Sequence, residues 1–386
     1  MPIALMNMQA TERLRNVLYQ VALVGAIGLV AGYAAFNLIH NLESRSIRIG
    51  FSYLTREAGF EISEKLLEYD ATYTYGRAFV VGLLNTLFVS AVAIVAASVL
   101  GLSVGIARLS PNWLLRQMAS VFVESVRNVP LILQLLMWYG MVTELFPPAE
   151  RALQLGPMFL SQRGLSLPWP EAHAGWPAAL LGLVAAFVFW LIWSRRTQRL
   201  RAQTGRASAA WWPSLVAFVV LPMAGWAFMG APTAFSMPEL GGFDFEGGKN
   251  ISPEFTALFV GLSIYTAAFI AEIVRGGIVA VPKGQIEAAQ ALNLTRAQRL
   301  RLVILPQALR VIIPPLTSQY LNLTKNSSLA VAIGYPDLVS ISNTTLNQTG
   351  QAIEAIALMM AVYLTLSLAI SGLMNWYNAR VKLVER

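Results

Sequence analysis

Long apolar runs alternate with short polar segments along almost the whole chain. Because a helix needs roughly 20 mostly apolar residues to cross a bilayer, this pattern predicts about eight transmembrane helices. The first run follows Arg13 and Arg15 and is longer than a signal-peptide core, so we predict a retained anchor. The predicted spans are Val17–Ile39, Phe79–Ala107, Val121–Phe146, Trp176–Trp193, Trp212–Gly230, Pro253–Val274, Pro314–Ile333 and Ala352–Trp376. The fold class is therefore an all-α polytopic membrane protein.

The polar, basic segment Val281–Ala308 carries helix signals of its own. Asn293 is of a residue type that closes a helix in the left-handed conformation. Thr295 and Gln298 form a T-x-x-Q capping box that would open a second helix, and Pro306 should limit how far that helix continues. The pattern predicts a helix-turn-helix knob, basic on one side and lined with small side chains on the other.

Composition places the chain in the membrane class. It is 56% hydrophobic and only 12% charged, far from the balance of a soluble domain. A net charge of +8 could indicate nucleic-acid binding. The basic residues are scattered in short loops, however, so no nucleic-acid partner is predicted. The chain has no cysteine, and its two histidines, His40 and His173, lie far apart in sequence, so no metal site is predicted.

Lys and Arg also predict the orientation. If the N terminus is cytoplasmic, eight crossings return the C terminus to the cytoplasm, and most of the 28 Lys and Arg residues fall on that side. The basic run from Arg195 to Arg206, between the fourth and fifth spans, contributes strongly. The knob at 281–308 is then predicted to lie inside the cell.

The knob resembles a known element. Glu287-Ala288-Ala289, then Asn293, then Ile304-Leu305-Pro306 is similar to the EAA loop of permease subunits of binding-protein-dependent ABC importers. The runs Ala271–Ile278 and Lys325–Leu329 resemble the polar amino-acid (HisMQ-like) branch. In that family the loop is the coupling helix, which sits in a groove of a cytoplasmic ATPase. Asn293 replaces the usual Gly, and Asn tolerates the same left-handed backbone. The resemblance assigns coupling to Glu287, Ala288, Ala289, Asn293, Thr295, Arg296, Gln298 and Arg299.

The resemblance also implies a domain plan. The second, third, sixth, seventh and eighth spans match the five-helix core of a type I importer permease. The predicted divisions are an anchor with a periplasmic loop (1–77), core helices one and two (78–146), a two-helix insertion (147–248), and core helices three to five with the coupling loop (249–386). The longer subunit of general L-amino-acid importers, of the Aap/Bzt type, resembles this chain in having such additions.

The chain offers little material for catalysis. The stretch Gly242–Lys249 fails the P-loop pattern because Phe243 stands at its first Gly and Asn250 follows the Lys. We therefore predict that this subunit is not an enzyme and carries no cofactor, and that ATP and Mg²⁺ bind a partner ATPase. A membrane-embedded enzyme would need a catalytic grouping within the spans, and the sequence shows none.

Polar residues inside the spans are costly and predict a translocation pathway for a zwitterionic substrate. Other interpretations stay open. Glu272 could form an i,i+3 ion pair with Arg275, and Lys325 could snorkel to the membrane surface. Interhelical hydrogen bonds are the alternative for Asn85, Thr86, Asn326, Ser327 and Ser328. The candidate pathway residues are Asn85, Thr86, Gln134, Tyr139, Thr266, Glu272, Lys325, Asn326, Ser327 and Ser328.

Arg127 and Pro130 resemble an R-x-x-P element that precedes the second core helix in this branch. Because Pro130 would break an entering helix, a bent entry into the span is predicted. The alternative is a simple junction between a loop and a helix.

Together with the topology, the resemblance implies a permease subunit of an ATP-driven importer of polar L-amino acids in a bacterial inner membrane. The partners that it implies are a second, shorter permease, two ATP-binding subunits, a periplasmic amino-acid-binding protein and membrane lipid. An ion-gradient-driven secondary transporter is the alternative, and it would be favoured by inverted repeats and broken helices with buried acids at the midplane. Specificity within the amino acids, and the role of the insertion, are left open by the sequence.

Overall fold

The computed structural model describes residues 2–44, 50–204, 211–242 and 244–381. Residues that bear on the charge asymmetry or the P-loop comparison but lie outside the described residues are Arg45, Arg48, Arg206, Phe243, Lys382 and Arg386. The chain separates into two compact units. The first unit comprises Met1–Ile132 with Gly261–Arg386, and the second unit comprises Leu133–Val260.

Helices account for most of the described residues. The α-helices are α1 (Pro2–Ser44), α2 (Tyr75–Ala107), α3 (Trp113–Asn128), α4 (Leu131–Gly140), α5 (Gly175–Thr204), α6 (Trp211–Phe228), α7 (Pro253–Val279), α8 (Lys283–Ala291), α9 (Arg296–Arg299), α10 (Leu305–Asn326), α11 (Leu338–Thr349) and α12 (Ala352–Val381). Short 3₁₀ helices are Phe51–Thr55, Ala149–Arg151 and Ser327–Ile333, and π turns are Met141–Leu145 and Leu300–Ile304. The strands are β1 (Leu153–Leu155), β2 (Met158–Ser161), β3 (Gly164–Leu167), β4 (Trp169–Pro170), β5 (Phe235–Ser236), β6 (Glu239–Gly241), β7 (Asp244–Glu246) and β8 (Lys249–Ile251).

Multi-pass membrane character is confirmed. Within the described ranges, six single helices are long and apolar enough to cross a membrane, and α3 with α4 would make a seventh span if the bent pair counts as one. The shorter apolar helix Trp212–Phe228 accounts for the remaining predicted segment. The eight predicted segments are thus all helical, although two of them differ from a single full-length span.

The predicted span Val121–Phe146 is two helices and not one. Helix α3 begins at Trp113, where the side chain of Asn112 accepts a hydrogen bond from the Leu115 N–H at 3.2 Å. It ends before Val129, which adopts an extended backbone with φ −102° and ψ 127°. A residue preceding proline is pushed towards this conformation, and Pro130 has no N–H to continue the helix. The bent entry predicted from Arg127 and Pro130 is therefore confirmed.

Pro306 does not limit the second helix of the knob, which corrects the sequence prediction. The chain remains helical from α9 through the π turn Leu300–Ile304 into α10, where Pro306 lies in the first turn. The N–H of Leu305 donates to the carbonyl of Leu300, one residue further back than in an α-helix. Such a widened turn removes the usual clash between a proline ring and the preceding turn.

Residues 50–74, which we call the N-terminal loop, are not merely a polar linker. Tyr53 and Tyr69 are buried, and they belong to one apolar cluster with Tyr75 and Phe79 of α2 and Leu338 of α11. The loop is fixed to the start of α12 as well: the N–H of Gly50 donates to the Glu354 carboxylate at 2.7 Å. The aromatic side chains that the loop buries in this cluster were not singled out by the sequence analysis.

The second unit contains a helical hairpin and small antiparallel sheets. Gly182 of α5 and Gly225 of α6 allow close packing: a Cβ on Gly182 would lie 2.4 Å from the carbonyl oxygen of Leu221. A four-stranded sheet has the order β1-β2-β3-β8, with Leu165 opposite Ile251. The strands were not predicted, because runs of two to four residues are too short to show an alternating pattern.

Candidate functional site

The segment 283–299, which we call the coupling segment, forms the predicted helix-turn-helix. Helix α8 ends at Ala291, and Asn293 adopts φ 54°, the left-handed conformation expected for the bend. Thr295 then caps α9: its N–H donates to Oε1 of Gln298 at 2.9 Å, and its hydroxyl oxygen accepts the Gln298 N–H at 3.4 Å. The capping box is confirmed. The segment therefore satisfies its own backbone groups at the bend through local hydrogen bonds.

Most of the coupling segment is exposed. Glu287, Ala288 and Arg296 are exposed, and Leu292 is 76% exposed although it is a large apolar side chain. Ala289 is buried, which corrects the prediction that both alanines offer their methyl groups to another surface. The coupling segment thus leaves a carboxylate, a small side chain, a guanidinium and a large apolar side chain exposed.

Two predicted pathway residues of α2 bind other parts of the first unit. The side-chain amide of Asn85, 1% exposed, donates to the carbonyl of Glu64 at 2.8 Å and to the carbonyl of Pro336 at 2.9 Å. The hydroxyl oxygen of Thr86 accepts the N–H of Leu338 at 3.1 Å. The interpretation as an interhelical hydrogen bond is confirmed for Thr86, whereas Asn85 bonds to two carbonyls that lie outside helices. Contact of either residue with substrate stays a prediction.

The polar run at the end of α10 lies where the helix tightens into its 3₁₀ turn. Lys325 is exposed and Asn326 half-buried. The hydroxyl of buried Ser327 donates to the Thr324 carbonyl at 2.7 Å, and that of Ser328 donates to the Lys325 carbonyl at 2.6 Å. These two bonds are local to the helix and satisfy carbonyls at its end.

Gln134 and Tyr139 lie in the second unit. Gln134 is buried, and the Tyr139 hydroxyl donates to Oε1 of Glu254 at 3.1 Å. Thr266 is buried within α7 in the first unit. Within the first unit, the predicted pathway residues Thr86 and Ser327 both lie beside the Tyr363 hydroxyl, whereas Gln134 and Tyr139 belong to the second unit.

Glu272 forms the predicted ion pair and a second one that was not predicted. Its Oε2 accepts from Nε of Arg275 at 3.1 Å within α7. The same carboxylate accepts from the guanidinium of Arg108, the C-cap residue of α2. In the sequence analysis Arg108 contributed only to the Lys and Arg distribution that predicts orientation. No short-range pattern in the sequence indicates a contact between positions 108 and 272.

Asp337 and Tyr363 are polar residues that sequence reasoning missed. Asp337 is fully buried and caps α11, with its Oδ1 accepting the Ser340 N–H at 2.8 Å. The Tyr363 hydroxyl donates to its Oδ2 at 3.5 Å, and this hydroxyl also lies beside the side chains of Thr86 and Ser327. Burial raises the pKa of Asp337 to about 7 against the lowering effect of these hydrogen bonds. An Asp before an apolar helical run was the available signal.

Side chains of the types that ligate metal ions do not cluster in the part of the chain that the structure describes. No group of three or more His, Cys, Asp or Glu side chains that could hold a metal ion occurs among these residues. The described residues combine an exposed coupling segment with several helices that are long and apolar enough to cross a membrane, which defines a multi-pass membrane protein.

Comparison with known proteins assigns the family. The family described as the binding-protein-dependent transport system inner membrane component matches residues 208–383. A putative amino-acid ABC transporter permease, YhdX of Escherichia coli (strain K12), is 50% identical, with 98% of this chain and 96% of that protein covered. The general L-amino acid transport system permease AapQ of Rhizobium johnstonii is 45% identical, with 96% and 93% covered. The glutamate/glutamine/aspartate/asparagine permease BztB of Rhodobacter capsulatus is 40% identical, with 97% and 95% covered.

This chain therefore belongs to the family of binding-protein-dependent ABC transporter permeases, within its amino-acid branch. The resemblance of the EAA-type motif and of the polar amino-acid runs is confirmed by these full-length relatives. Its function is that of a permease subunit of an ABC amino-acid importer.

Proposed function

We propose that this chain forms one part of the translocation pathway of an importer for a broad range of polar L-amino acids, including glutamate, glutamine and aspartate. The printed names of two relatives support this range, since one is a general L-amino acid permease and the other a permease for the acidic amino acids and their amides. Their similarity extends over nearly the whole chain, including the two-helix insertion, so it is not confined to the helices common to all such permeases.

The exposed coupling segment is the observation that carries the mechanism. Its bend and caps are satisfied by its own hydrogen bonds, while Glu287, Ala288 and Leu292 remain exposed. We infer that an ATP-binding subunit contacts this face and that its closure moves α8. ATP and Mg²⁺ then act on that partner, and this chain converts the movement of α8 into access to one side of the membrane.

The assembly we propose has two permeases, two ATP-binding subunits and a periplasmic amino-acid-binding protein. The second permease is a shorter homologue, because the family core comprises five helices and this chain carries additional ones. The complex lies in a bacterial inner membrane with both termini of this chain in the cytoplasm, as the distribution of Lys and Arg favours. Family membership favours this ATP-driven mechanism over the ion-gradient-driven alternative.

The test is a purification of the tagged chain in mild detergent, followed by reconstitution into proteoliposomes with the co-purifying subunits and the binding protein. We expect an ATP-binding subunit and a smaller permease in the eluate, and ATP-dependent uptake of labelled glutamate, glutamine and aspartate.

Two outcomes would contradict the proposal in different ways. A chain that purifies alone and takes up amino acids in response to an imposed ion gradient would restore the secondary-transporter alternative. ATP-dependent uptake restricted to one amino acid would leave the mechanism but overturn the proposed substrate range.

A further inference from the structure

Helices α2 and α7 pack closely in the C-terminal part of each helix, where glycines of α2 leave room for α7. A Cβ on Gly101 would lie 2.6 Å from the Cβ of Ile270, and one on Gly105 would lie 2.8 Å from the carbonyl oxygen of Ala271. Glycines four residues apart share one face of a helix and let two backbones approach closely in a membrane. The two helices therefore pack closely along this face, with the side chains of Ile270 and Val274 against the two glycines.

An ion pair closes the same interface one turn further along. Arg108, whose side chain is only 12% exposed, donates to the Glu272 carboxylate and also contacts the hydroxyl of Ser120 on α3 through its Nε at 3.4 Å. Glu272 has a second cationic partner in Arg275, but that partner lies on the same helix. The Glu272 carboxylate thus forms two ion pairs: the one with Arg108 joins α2 to α7, and the one with Arg275 lies within α7.

The interface is connected to the coupling segment by a short stretch of chain. Helix α7 ends at Val279 and α8 begins at Lys283, and the buried side chain of Val281 lies between them. The end of α7 is also held against α10, since a Cβ on Gly277 would lie 2.3 Å from Cγ1 of Ile312. A displacement of α8 is therefore passed first to the end of α7 that bears Glu272.

We propose that Arg108 is a positioning residue that passes movement of the coupling segment from α7 to α2 through its ion pair with Glu272. The inference rests on the proposed function, because it presupposes that an ATPase displaces α8. Charged hydrogen bonds are short and directional, and a largely buried guanidinium that leaves its carboxylate loses this bond without regaining full hydration. The pair therefore makes α2 follow α7, which neither apolar packing nor the Glu272–Arg275 pair within α7 achieves.

Arg108→Gln and Arg275→Gln form a matched pair for the test. Each removes one positive charge that faces Glu272: Arg108 donates one hydrogen bond to this carboxylate and Arg275 donates two. Only the first substitution removes a contact between helices. The readout is the ratio of labelled amino acid taken up to ATP hydrolysed in proteoliposomes that hold the whole complex. We expect R108Q to lower this ratio at least five-fold while ATP hydrolysis continues, and R275Q to leave the ratio within two-fold of the unsubstituted complex. R108K, which keeps a charge but contacts fewer acceptors, should lie between R108Q and the unsubstituted complex.

Either of two results overturns the proposal: equal ratios in R108Q and R275Q, or losses of uptake and hydrolysis in R108Q that are proportional, as a merely structural role predicts. Should R108Q fail to assemble, R108K and R275K give a second matched pair, and equal ratios in that pair contradict the proposal as well. The unsubstituted complex separates this inference from the proposed function. Without ATP-dependent uptake in that complex the proposed function itself fails, whereas full coupling in both it and R108Q removes only the role of Arg108.

Discussion

The coupling segment and the N-terminal loop are both polar stretches beside apolar helices, yet their hydrogen-bond partners differ. The coupling segment bonds to itself: Thr295 and Gln298 cap each other, and Glu287 stays exposed. The N-terminal loop bonds to distant parts of the chain, through Glu64 to Asn85 and through Gly50 to Glu354. A segment whose polar groups are hydrogen-bonded within the segment keeps a face available for a partner. A segment whose polar groups bond to the packed helices is part of the structural core.

The largest expected effect tests the exposed face of the coupling segment. Glu287→Lys should reduce uptake more than ten-fold without lowering the amount of protein in the membrane. The substitution reverses one exposed charge in a segment that already contains Lys283 and Arg296, and a partner complementary to the carboxylate would be repelled. Uptake of labelled amino acid and immunodetection of the chain in membranes are the measurements. Gln285→Lys is the control, since it also places a lysine at an exposed neighbouring position of α8, with a charge change of one unit in place of two. Equal uptake by E287K and Q285K would show that the carboxylate of Glu287 has no specific role in binding the partner.

The next effect tests the attachment of the N-terminal loop. Asn85→Ala should lower the stability of the purified complex by about 2 kcal/mol, because the buried carbonyl of Pro336 and the half-buried carbonyl of Glu64 lose their donor. Thermal denaturation followed by size-exclusion chromatography measures this change. Ser103→Ala is the control, since that exposed hydroxyl donates only to Val99 of its own helix. If N85A melts like S103A but has lost uptake, Asn85 is a pathway residue and the structural interpretation is wrong.

A pH dependence follows from the buried cap of α11. The pKa of Asp337 is raised to about 7, so the folded protein holds this proton more tightly than the unfolded chain. The stability contributed by the protonated group is present below the ordinary carboxyl pKa near 4 and is lost as pH rises through about 7. We expect a lower melting temperature at pH 8 than at pH 6, and a smaller difference in Asp337→Asn, because Asn also caps helices but does not ionise. An equal pH dependence in D337N would show that another group is responsible. Asp337→Ala should be less stable than D337N at both pH values.

The smallest effect concerns the bend of the coupling segment. Asn293 has φ 54°, which Gly adopts freely, so Asn293→Gly should be nearly neutral. Asn293→Val places a β-branched side chain in the left-handed region, at a cost of about 1–2 kcal/mol. The bend would then shift, and the uptake obtained per ATP should fall in N293V but not in N293G. A cysteine placed at Gln298 should crosslink to an ATP-binding subunit more weakly in the N293V background. Equal crosslinking in both backgrounds would show that the bend geometry does not matter for docking.

Local signals in the sequence were sufficient for the coupling segment. Asn293 marked the bend, Thr295 and Gln298 marked the cap, and each acts on backbone groups within a few residues. Pro130 likewise marked a helix break, because a missing N–H and a steric clash with the preceding residue are local effects. Pro306 shows the limit of this reasoning. A proline can end a helix, or it can lie in a continuous helix directly after a widened turn, as Pro306 does. The residues around Pro306 in the sequence do not decide between these two conformations.

The sequence by itself determined what depends on composition and short spacing: the membrane class, the helical segments and the self-capped knob. Tertiary structure alone decided the partners of Asn85, the burial of Ala289 and the bond between Arg108 and Glu272. The residues of that last bond are 164 positions apart. The physical reason is that helix propensity, capping and hydropathy act over a few neighbouring residues. The choice of a hydrogen-bond or ion-pair partner depends instead on which helices pack together and on their axial positions relative to each other.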